Sequence, residues 1–419
     1  MSKPLHIVMI HDRYQYVGGE DVSTDADVEL LREYGHQVTL IEVHNDIIKA
    51  FSQFEKLKLF VETAWNFKVY REMRSQFQTL KPDLIHVQNF FPLFSPSVHA
   101  AARSLNISTV QHLHNFRLGC LNGYLLKDGK ICEACVGRNP WRGIVYGCYR
   151  KSLVASVAVW TMVTFNRWRR TWTQDVNAFI TPSHFAAQKL IEIGIPSDRL
   201  HVKPSGINPP SNPNNREQQD VELNPRYSDT INFLFVGRLS PEKGVITLLK
   251  AWVELNRTDW QLKIVGEGDQ KPILQSFVKD YGLTNVQFLG YLPPSQIAEV
   301  MQTATAIVVP SQWYETFGRV VVEAFACGKP VLASEMGALA ELITPEYNGF
   351  LIPSDRLSAW IEKLYWCGTN PEAMRTIGKN AYQTYQELYT RSTNYQQLMA
   401  IYDAVLSHIP LVMEVEKQL

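Results

Sequence analysis

The residues Ala306-Ile-Val-Val-Pro-Ser-Gln-Trp-Tyr-Glu-Thr-Phe-Gly-Arg-Val-Val-Val-Glu-Ala-Phe-Ala-Cys-Gly-Lys-Pro-Val-Leu-Ala-Ser334 decide the reading of the fold. Ile307–Val309 is a short β-branched apolar run, the pattern of a strand buried on both faces of a parallel sheet. A polar loop follows, then an apolar segment from about Gly318 to Ala326. Gly328 lies just past that segment and Pro330 two residues beyond, a usual helix stop. Pro330–Ala333 reads as the next strand. Strand, helix and strand make a βαβ unit, whose ligand belongs in the crevice at the C-terminal end of the first strand.

Backbone N–H groups around Phe317–Arg319 open the helix, and the positive end of its dipole suits a phosphate. Glu315 precedes the helix and Glu323 lies further along it, up to roughly 12 Å away if the span were wholly helical. Carboxylates repel phosphate but accept hydrogen bonds from sugar hydroxyls. Two acids bracketing an anion-binding helix end suit a ligand with phosphate in the middle and sugars at both ends, the layout of a nucleotide diphosphate sugar. Glu315 and Glu323 after a Val-Pro-Ser strand end, with Thr316-Phe317-Gly318 and Ala326-Cys-Gly-Lys-Pro-Val331, resemble the Glu-x7-Glu donor signature of retaining family-4 glycosyltransferases of the GT-B fold.

The 419 residues are enough for two or three domains, and 45% hydrophobic content fills their cores. Lys and Arg number 41, as do Asp and Glu, so no global field recruits nucleic acid or membrane. Met1-Ser-Lys-Pro-Leu-His6 enters a strand with no signal-peptide pattern. Leu153–Val163 is apolar but short of the ~20 residues a spanning helix needs. The expectation is a cytoplasmic protein, peripheral on the inner membrane face.

In the N-terminal half, the strand Leu5–Ile10 leads to Gly18 and Gly19 at the start of a helix running to about Tyr34, with Gly35 beyond its end and Gln37–Val43 as the next strand. The resemblance implies that Gly18 and Gly19 face the donor phosphates. Asp25-Ala-Asp27 superficially matches a metal-binding Asp-x-Asp, but it falls in a helical pattern and reads as helix surface, so no catalytic metal is expected. Ala50–Leu80 is amphipathic, interleaving Phe51, Phe54, Leu57, Phe60, Val61, Trp65 and Phe67 with lysines and arginines. Such a segment suits an anionic membrane or a lipid-linked acceptor, and equally a core helix with a solvated basic face. Pro82–Gln88 and Ser108–His114 read as parallel strands, pointing Asn89 and Phe90 toward the ligand crevice as acceptor contacts. The resemblance implies that a histidine at the end of the second of these strands lines the reacting sugar carbon. His114 stands there, with His112 as its rival.

Cys120, Cys132, Cys135 and Cys148, four of the six cysteines, crowd into the insertion. In a cytoplasmic chain that clustering suits structural zinc better than disulfides, although the outer spacings are not those of a common finger. From Ala134 to Gln174 there is no acidic residue, while Arg138, Arg142, Arg150, Lys151, Arg167, Arg169 and Arg170 are interleaved with tryptophans. That asymmetry points to anionic lipid or a phosphate-bearing lipid acceptor rather than nucleic acid, since nothing resembles a recognition helix.

In the C-terminal half Ile231–Val236 restarts the βα pattern. Gly237-Arg238 ends that strand, and Pro241-Glu-Lys-Gly244 opens a helix to about Leu255. Arg238 and Lys243 flank the turn, where cations hold a diphosphate and stabilise its departure. The Gly-Arg-Leu-Ser-x-x-Lys-Gly match to the family implies the same role. Gly266 and Gly268 resemble only part of a dinucleotide fingerprint, which argues against an NAD-dependent oxidoreductase. By the resemblance, Gly290–Leu292, with Tyr291, meets the nucleotide base, and Thr316, Phe317, Gly318 and Arg319 complete the donor site.

The expected architecture is two Rossmann-like domains facing a central cleft, with the C-terminal helix crossing back to the N-terminal domain. Its parts are an acceptor-side domain over 1–207 with a cysteine-rich insertion at 118–150, a linker at 208–230, a nucleotide-sugar domain over 231–380 and returning helices over 381–419. The expected reaction moves a sugar from a UDP- or GDP-sugar to a hydroxyl acceptor, lipid-linked or a cell-envelope polysaccharide precursor, with retention. His114, Arg238, Lys243 and Glu315 carry the chemistry and Glu323 holds the ribose. The competing readings are a sugar-phosphate synthase or phosphorylase on the same fold, and a zinc-containing nucleic-acid- or membrane-binding module.

Overall fold

The computed structural model describes residues 3–14, 18–207 and 230–407. Of the expected linker, residues 208–229 lie outside that range, as do residues 408–419 of the expected returning helices. The chain divides into two units, one from Met1–Lys127, Cys132–Gly206 and Asn394–Leu419, the other from Asp128–Ile131 and Ile207–Thr393.

The first begins β1 (His6–Arg13), α1 (Gly19–Glu33), β2 (Gln37–His44), α2 (Gln53–Glu62), α3 (Phe67–Leu80), β3 (Leu84–Asn89), α4 (Ser97–Arg103) and β4 (Ser108–His112). Next in the chain come β5 (Leu126–Lys127), β6 (Lys130–Ile131, which groups with the second unit), α5 (Arg142–Val145), α6 (Leu153–Trp168) and α7 (Thr171–Gln174). Then come β7 (Ala178–Thr181), α8 (His184–Ile193) and β8 (Leu200–Val202). The main sheet runs β2-β1-β3-β4-β7-β8, parallel throughout, with Ile7 opposite Val38 on one side and Leu84 on the other. Ile7–Ile10 is wholly buried, which is why the strand reads as a continuous apolar run. Strand order reverses between β1 and β3, so the loops leaving these two strands border the ligand crevice of this unit.

The second contains β9 (Asn232–Val236), α9 (Val245–Leu255), β10 (Gln261–Val265), α10 (Lys271–Asp280), β11 (Val286–Gly290), α11 (Pro294–Thr303) and β12 (Ala306–Val309). It continues with α12 (Arg319–Ala326), β13 (Val331–Ser334), α13 (Leu339–Leu342), β14 (Gly349–Ile352), α14 (Leu357–Thr369) and α15 (Pro371–Leu388). Its sheet, β11-β10-β9-β12-β13-β14, is also parallel and reverses order between β9 and β12. Phe233 and Phe235 enter one core with Leu248, Trp252 and Trp360, while Leu234 enters the opposite core with Ile307, Val321 and Phe325. That alternation is the two-residue period of a strand covered on both faces.

The last helix, α16 (Arg391–Ser407), packs Leu398, Met399, Ile401 and Tyr402 against Ile7, Met9, Leu84 and Val110 of the first unit. Its polar groups complete buried partners there. Tyr402 hydrogen-bonds His86 Nδ1 at 2.7 Å, Tyr395 hydrogen-bonds His36 at 2.8 Å, and Asn394 donates to the Pro204 carbonyl at 2.7 Å.

Two expectations need correction. Ala50–Leu80 is not one amphipathic helix, because Asn66 caps a fresh start by accepting from the Val69 N–H at 3.1 Å, separating α2 from α3. Asp25-Ala-Asp27 does lie in α1, but only Asp25 is on the surface. Asp27 is wholly buried, 3.1 Å from the equally buried Lys203 ammonium.

Tyr402→Phe keeps the ring and removes one buried hydrogen bond, leaving His86 Nδ1 without its partner. Loss of about 1–3 kcal/mol is expected, read as a lower melting temperature by circular dichroism; an unchanged melt would show that the contact contributes nothing.

Candidate active site

In the second unit the loops after β9 and β12 are fastened together. The Glu242 carbonyl accepts from the Gln312 N–H at 2.7 Å, and Gly244 lies so close that a Cβ there would stand 1.9 Å from the Pro310 carbonyl oxygen. Only glycine permits that approach, which its positive φ of 69° also favours. The result places Lys243 against Glu315. Lys243 Nζ donates to Glu315 Oε1 at 2.6 Å, and Ser311 Oγ donates to the same oxygen at 2.8 Å. Burial alone would raise the Glu315 carboxyl, but Lys243 and Ser311 hold it below the ordinary glutamate value. The Lys243 ammonium also stands 5.2 Å from the centre of the Trp313 ring. On the same turn Arg238 donates to Glu242 at 2.5 Å. Gly318 is the N-cap of α12, and inside the helix Arg319 donates to Glu323 at 2.9 Å. Burial pushes the Glu323 carboxyl up, with Arg319 opposing.

In the first unit His114 follows the end of β4. Its Nε2 is 2.9 Å from Gln88 Oε1, Gln88 Nε2 donates to Asp27 Oδ2 at 3.0 Å, and Lys203 donates to Asp27 Oδ1. Each link fixes the next. The Asp27 carboxylate only accepts, so Gln88 must present its amide N–H₂ there and its oxygen to His114, which makes His114 a donor at Nε2. Burial, then the neighbouring His11, drives the imidazole down to about 3, so it is neutral at physiological pH. Burial is the largest influence on Asp27 and would raise it, yet Lys203 and its other partners hold it below the ordinary aspartate value. His112 is 1% exposed inside β4, its ring stacked 3.9 Å from that of His114, so His114 is the one of the two set beyond the strand end.

Around this chain lie residues that sequence reasoning did not select: Asp12, Glu20, Gln88, Asp27, Lys203 and Arg117. Gln88, Asn89, His114, Asn115, Arg117 and Glu20 line one pocket. Asp12 accepts from the Leu93 N–H at 2.7 Å, and Asn89 donates to the Asp12 carbonyl at 2.9 Å, tying the ends of β1 and β3. Burial pushes both Asp12 and Glu20 up to about 8. Only burial in the folded chain distinguishes these carboxyls from ordinary surface acids, which is why no sequence signal marks them.

The remaining candidates divide. Gly18 caps α1, but its N–H is taken by Asp21 Oδ2 at 2.8 Å; at Gly19 the space a Cβ would fill is open for 4 Å. Gly237 and Gly266 are explained by packing, since a Cβ on Gly266 would stand 1.9 Å from the Gly237 carbonyl. The Phe317 side chain lies in the core beside Tyr389, which leaves its backbone at the start of α12 as the part the sequence reading assigned, while Thr316 is half-buried before it. Tyr291 is 71% exposed beyond β11. Phe90 is buried and stacked on Trp172, and it also lines the pocket of His114 and Arg117.

Cys120, Cys132, Cys135 and Cys148 are free thiols. Burial first, and then one another's proximity, raises Cys135 and Cys148, the latter to about 11, while burial raises Cys120, whose Sγ donates to Asn122 at 3.0 Å. Among the described residues no group of three or more His, Cys, Asp or Glu is arranged to hold a metal ion. The basic stretch is partly spent on structure. Arg167 donates to the carbonyls of Leu118, Arg138 and Ile193, and Arg169 pairs with Asp175 at 3.0 Å. Among the described residues no helix is long and apolar enough to cross a membrane.

The match to known families follows the same division. Residues 17–210 fit the model for Glycosyltransferase Family 4, and residues 216–384 that for Glycosyl transferases group 1. An uncharacterized glycosyltransferase of Methanocaldococcus jannaschii is 33% identical over 377 residues, 83% of this chain and 85% of that protein. The chain therefore belongs to the family-4 glycosyltransferases. It is also 28% identical to the phosphatidyl-myo-inositol mannosyltransferase of Mycobacterium leprae, over 74% of this chain and 78% of that one. The crystal structure of Anabaena HepE in complex with UDP superimposes with a TM-score of 0.66 at 18% identity, covering 96% of this chain and all of that one. The two Rossmann-like units are thus those of the GT-B fold.

Lys243→Met would leave Glu315 buried without its cation. A loss of about 1–3 kcal/mol is expected near neutral pH. In the wild type Glu315 is held below its ordinary value, so its contribution is present at neutral pH and lost as pH falls through that lowered value. In the variant the carboxyl rises instead, so the deficit shrinks as the medium is acidified and Glu315 takes a proton. Melting curves from pH 4 to 8 read this directly, and a deficit independent of pH would contradict it.

Proposed function

We propose that the chain is a retaining glycosyltransferase that moves a sugar from a nucleotide diphosphate sugar to a hydroxyl acceptor. The Lys243–Glu315 pair at the order reversal of the second sheet, beside Arg238 and the start of α12, carries this reading. Without a donor, each cation rests on a carboxylate, Lys243 on Glu315 and Arg238 on Glu242. A diphosphate is the stronger partner, with more charge and more acceptor oxygens. On its arrival the cations transfer to phosphate, and Glu315 is released to accept hydrogen bonds from the sugar hydroxyls. As the bond to the anomeric carbon lengthens, negative charge grows on the leaving phosphate, where Arg238, Lys243 and the α12 N-terminus stabilise it. Glu323 takes the ribose hydroxyls in the same way. Positive charge develops on the sugar, and the neutral His114 faces it without repulsion. No side chain of this set is a suitable nucleophile, which favours attack by the acceptor on the face the diphosphate leaves.

The acceptor belongs to the first unit, and a lipid-linked saccharide fits its surface. Nothing on α2 is buried; Phe54, Leu57 and Val61 share one face at 76, 65 and 64% exposure, and Trp168 on α6 is 78% exposed. Apolar residues at helical spacing beside Lys56 and Lys58 suit the interface of an anionic membrane.

Thermal-shift screening against UDP- and GDP-sugars identifies the donor, and NMR of the product reads its anomeric configuration. Retention is expected, and Glu315→Gln should remain folded while losing both transfer and donor hydrolysis; an inverted product, or wild-type activity in Glu315→Gln, refutes the assignment. For the surface, flotation with phosphatidylglycerol vesicles should fall several-fold in a Phe54→Ser/Leu57→Ser variant. Equal recovery with neutral vesicles would contradict docking on anionic lipid.

A further inference from the structure

Arg117 follows His114 by one turn of chain and is 8% exposed. Its backbone N–H donates to Asn115 Oδ1 at 3.0 Å, but its guanidinium meets no hydrogen-bond acceptor among the described residues, and Nη1 is buried without a partner. What holds it is aromatic. The guanidinium carbon lies 4.2 Å from the centre of the Phe91 ring and 5.4 Å from that of Tyr149. Such contacts offset only part of the cost of withdrawing a cation from water. Glu20 and Asp12 are near enough to be felt electrostatically but make no ion pair with it. Both are pushed up to about 8 by burial, so at neutral pH neither supplies the missing negative charge.

Other cations of the two units do meet carboxylates: the fully buried Lys203 has Asp27, and the partly buried Arg169 and Lys243 have Asp175 and Glu315. Arg117 rests against two rings, its guanidinium meets no acceptor among the described residues, and it lines the same pocket as His114, Glu20 and Gln88. A guanidinium fork with unspent donors matches the two oxygens of a carboxylate or phosphate. We propose that Arg117 is the anion-recognition residue of this pocket, and that the acceptor carries a phosphate or carboxylate close to the hydroxyl that is glycosylated. This rests on the reading of the first unit as the acceptor side.

Inorganic phosphate, glucuronate and neutral glucose serve as probes in thermal-shift titrations of the full chain, with UDP or GDP (whichever stabilises it) saturating the donor site. If neither nucleotide binds, the donor reading fails on its own, and the titration proceeds with the Lys243→Met variant. Wild-type protein should respond to one or both anions but not to glucose; phosphate alone marks a phosphate-bearing acceptor, glucuronate alone an acidic sugar. Arg117→Gln should weaken the anion at least tenfold, and Arg117→Lys by less, while nucleotide binding changes by under twofold. No anion response in the wild type overturns the proposal whatever the variants do. So does an unchanged response in a folded Arg117→Gln, or a loss confined to nucleotide binding, which would place Arg117 on the donor.

Discussion

A carboxylate taken out of water needs a cation, and Glu315 finds Lys243 across two loops that share no sequence neighbourhood. The pairing depends on the reversal of strand order between β9 and β12, which opens the sheet between their loops, and on Gly244, whose missing side chain lets one loop rest on the other. Sheet, glycine and ion pair form one arrangement. It leaves a lysine and a glutamate neutralising each other at the switch point of the sheet.

The first unit solves a different problem. Its histidine must stay neutral and keep one orientation, and a buried chain of Lys203, Asp27, Gln88 and His114 provides both. The ion pair at one end fixes the amide, and the amide fixes the imidazole. α16 supports this layer from behind by meeting the buried His86, whose ring is parallel to that of His112. Three histidines in a row, each kept neutral by burial, make a polar but uncharged wall on the side of the pocket that Arg117 also lines.

The architecture was legible because parallel strands covered on both faces have little choice of residue. Ile7–Ile10 and Ala306–Val309 could hardly be anything else, and glycine or proline after each helix marked the return. The Lys243–Glu315 pair was legible for a related reason, since both residues follow strand ends at the order reversal of the sheet, and only the closeness that Gly244 permits had to come from the fold. The buried network of the first unit was not. Asp27 looked like a helix-surface acid because nothing in a helical repeat reveals a lysine 176 residues away. Gln88 and Arg117 are ordinary residues until the fold buries them.

A crystal structure with a bound UDP- or GDP-sugar would decide whether the Lys243–Glu315 pair is the donor cradle. The expected result is Lys243 and Arg238 within hydrogen-bonding distance of the diphosphate, with Glu315 turned to the hydroxyls of the transferred sugar. A donor bound elsewhere, with Lys243 still resting on Glu315, would contradict it.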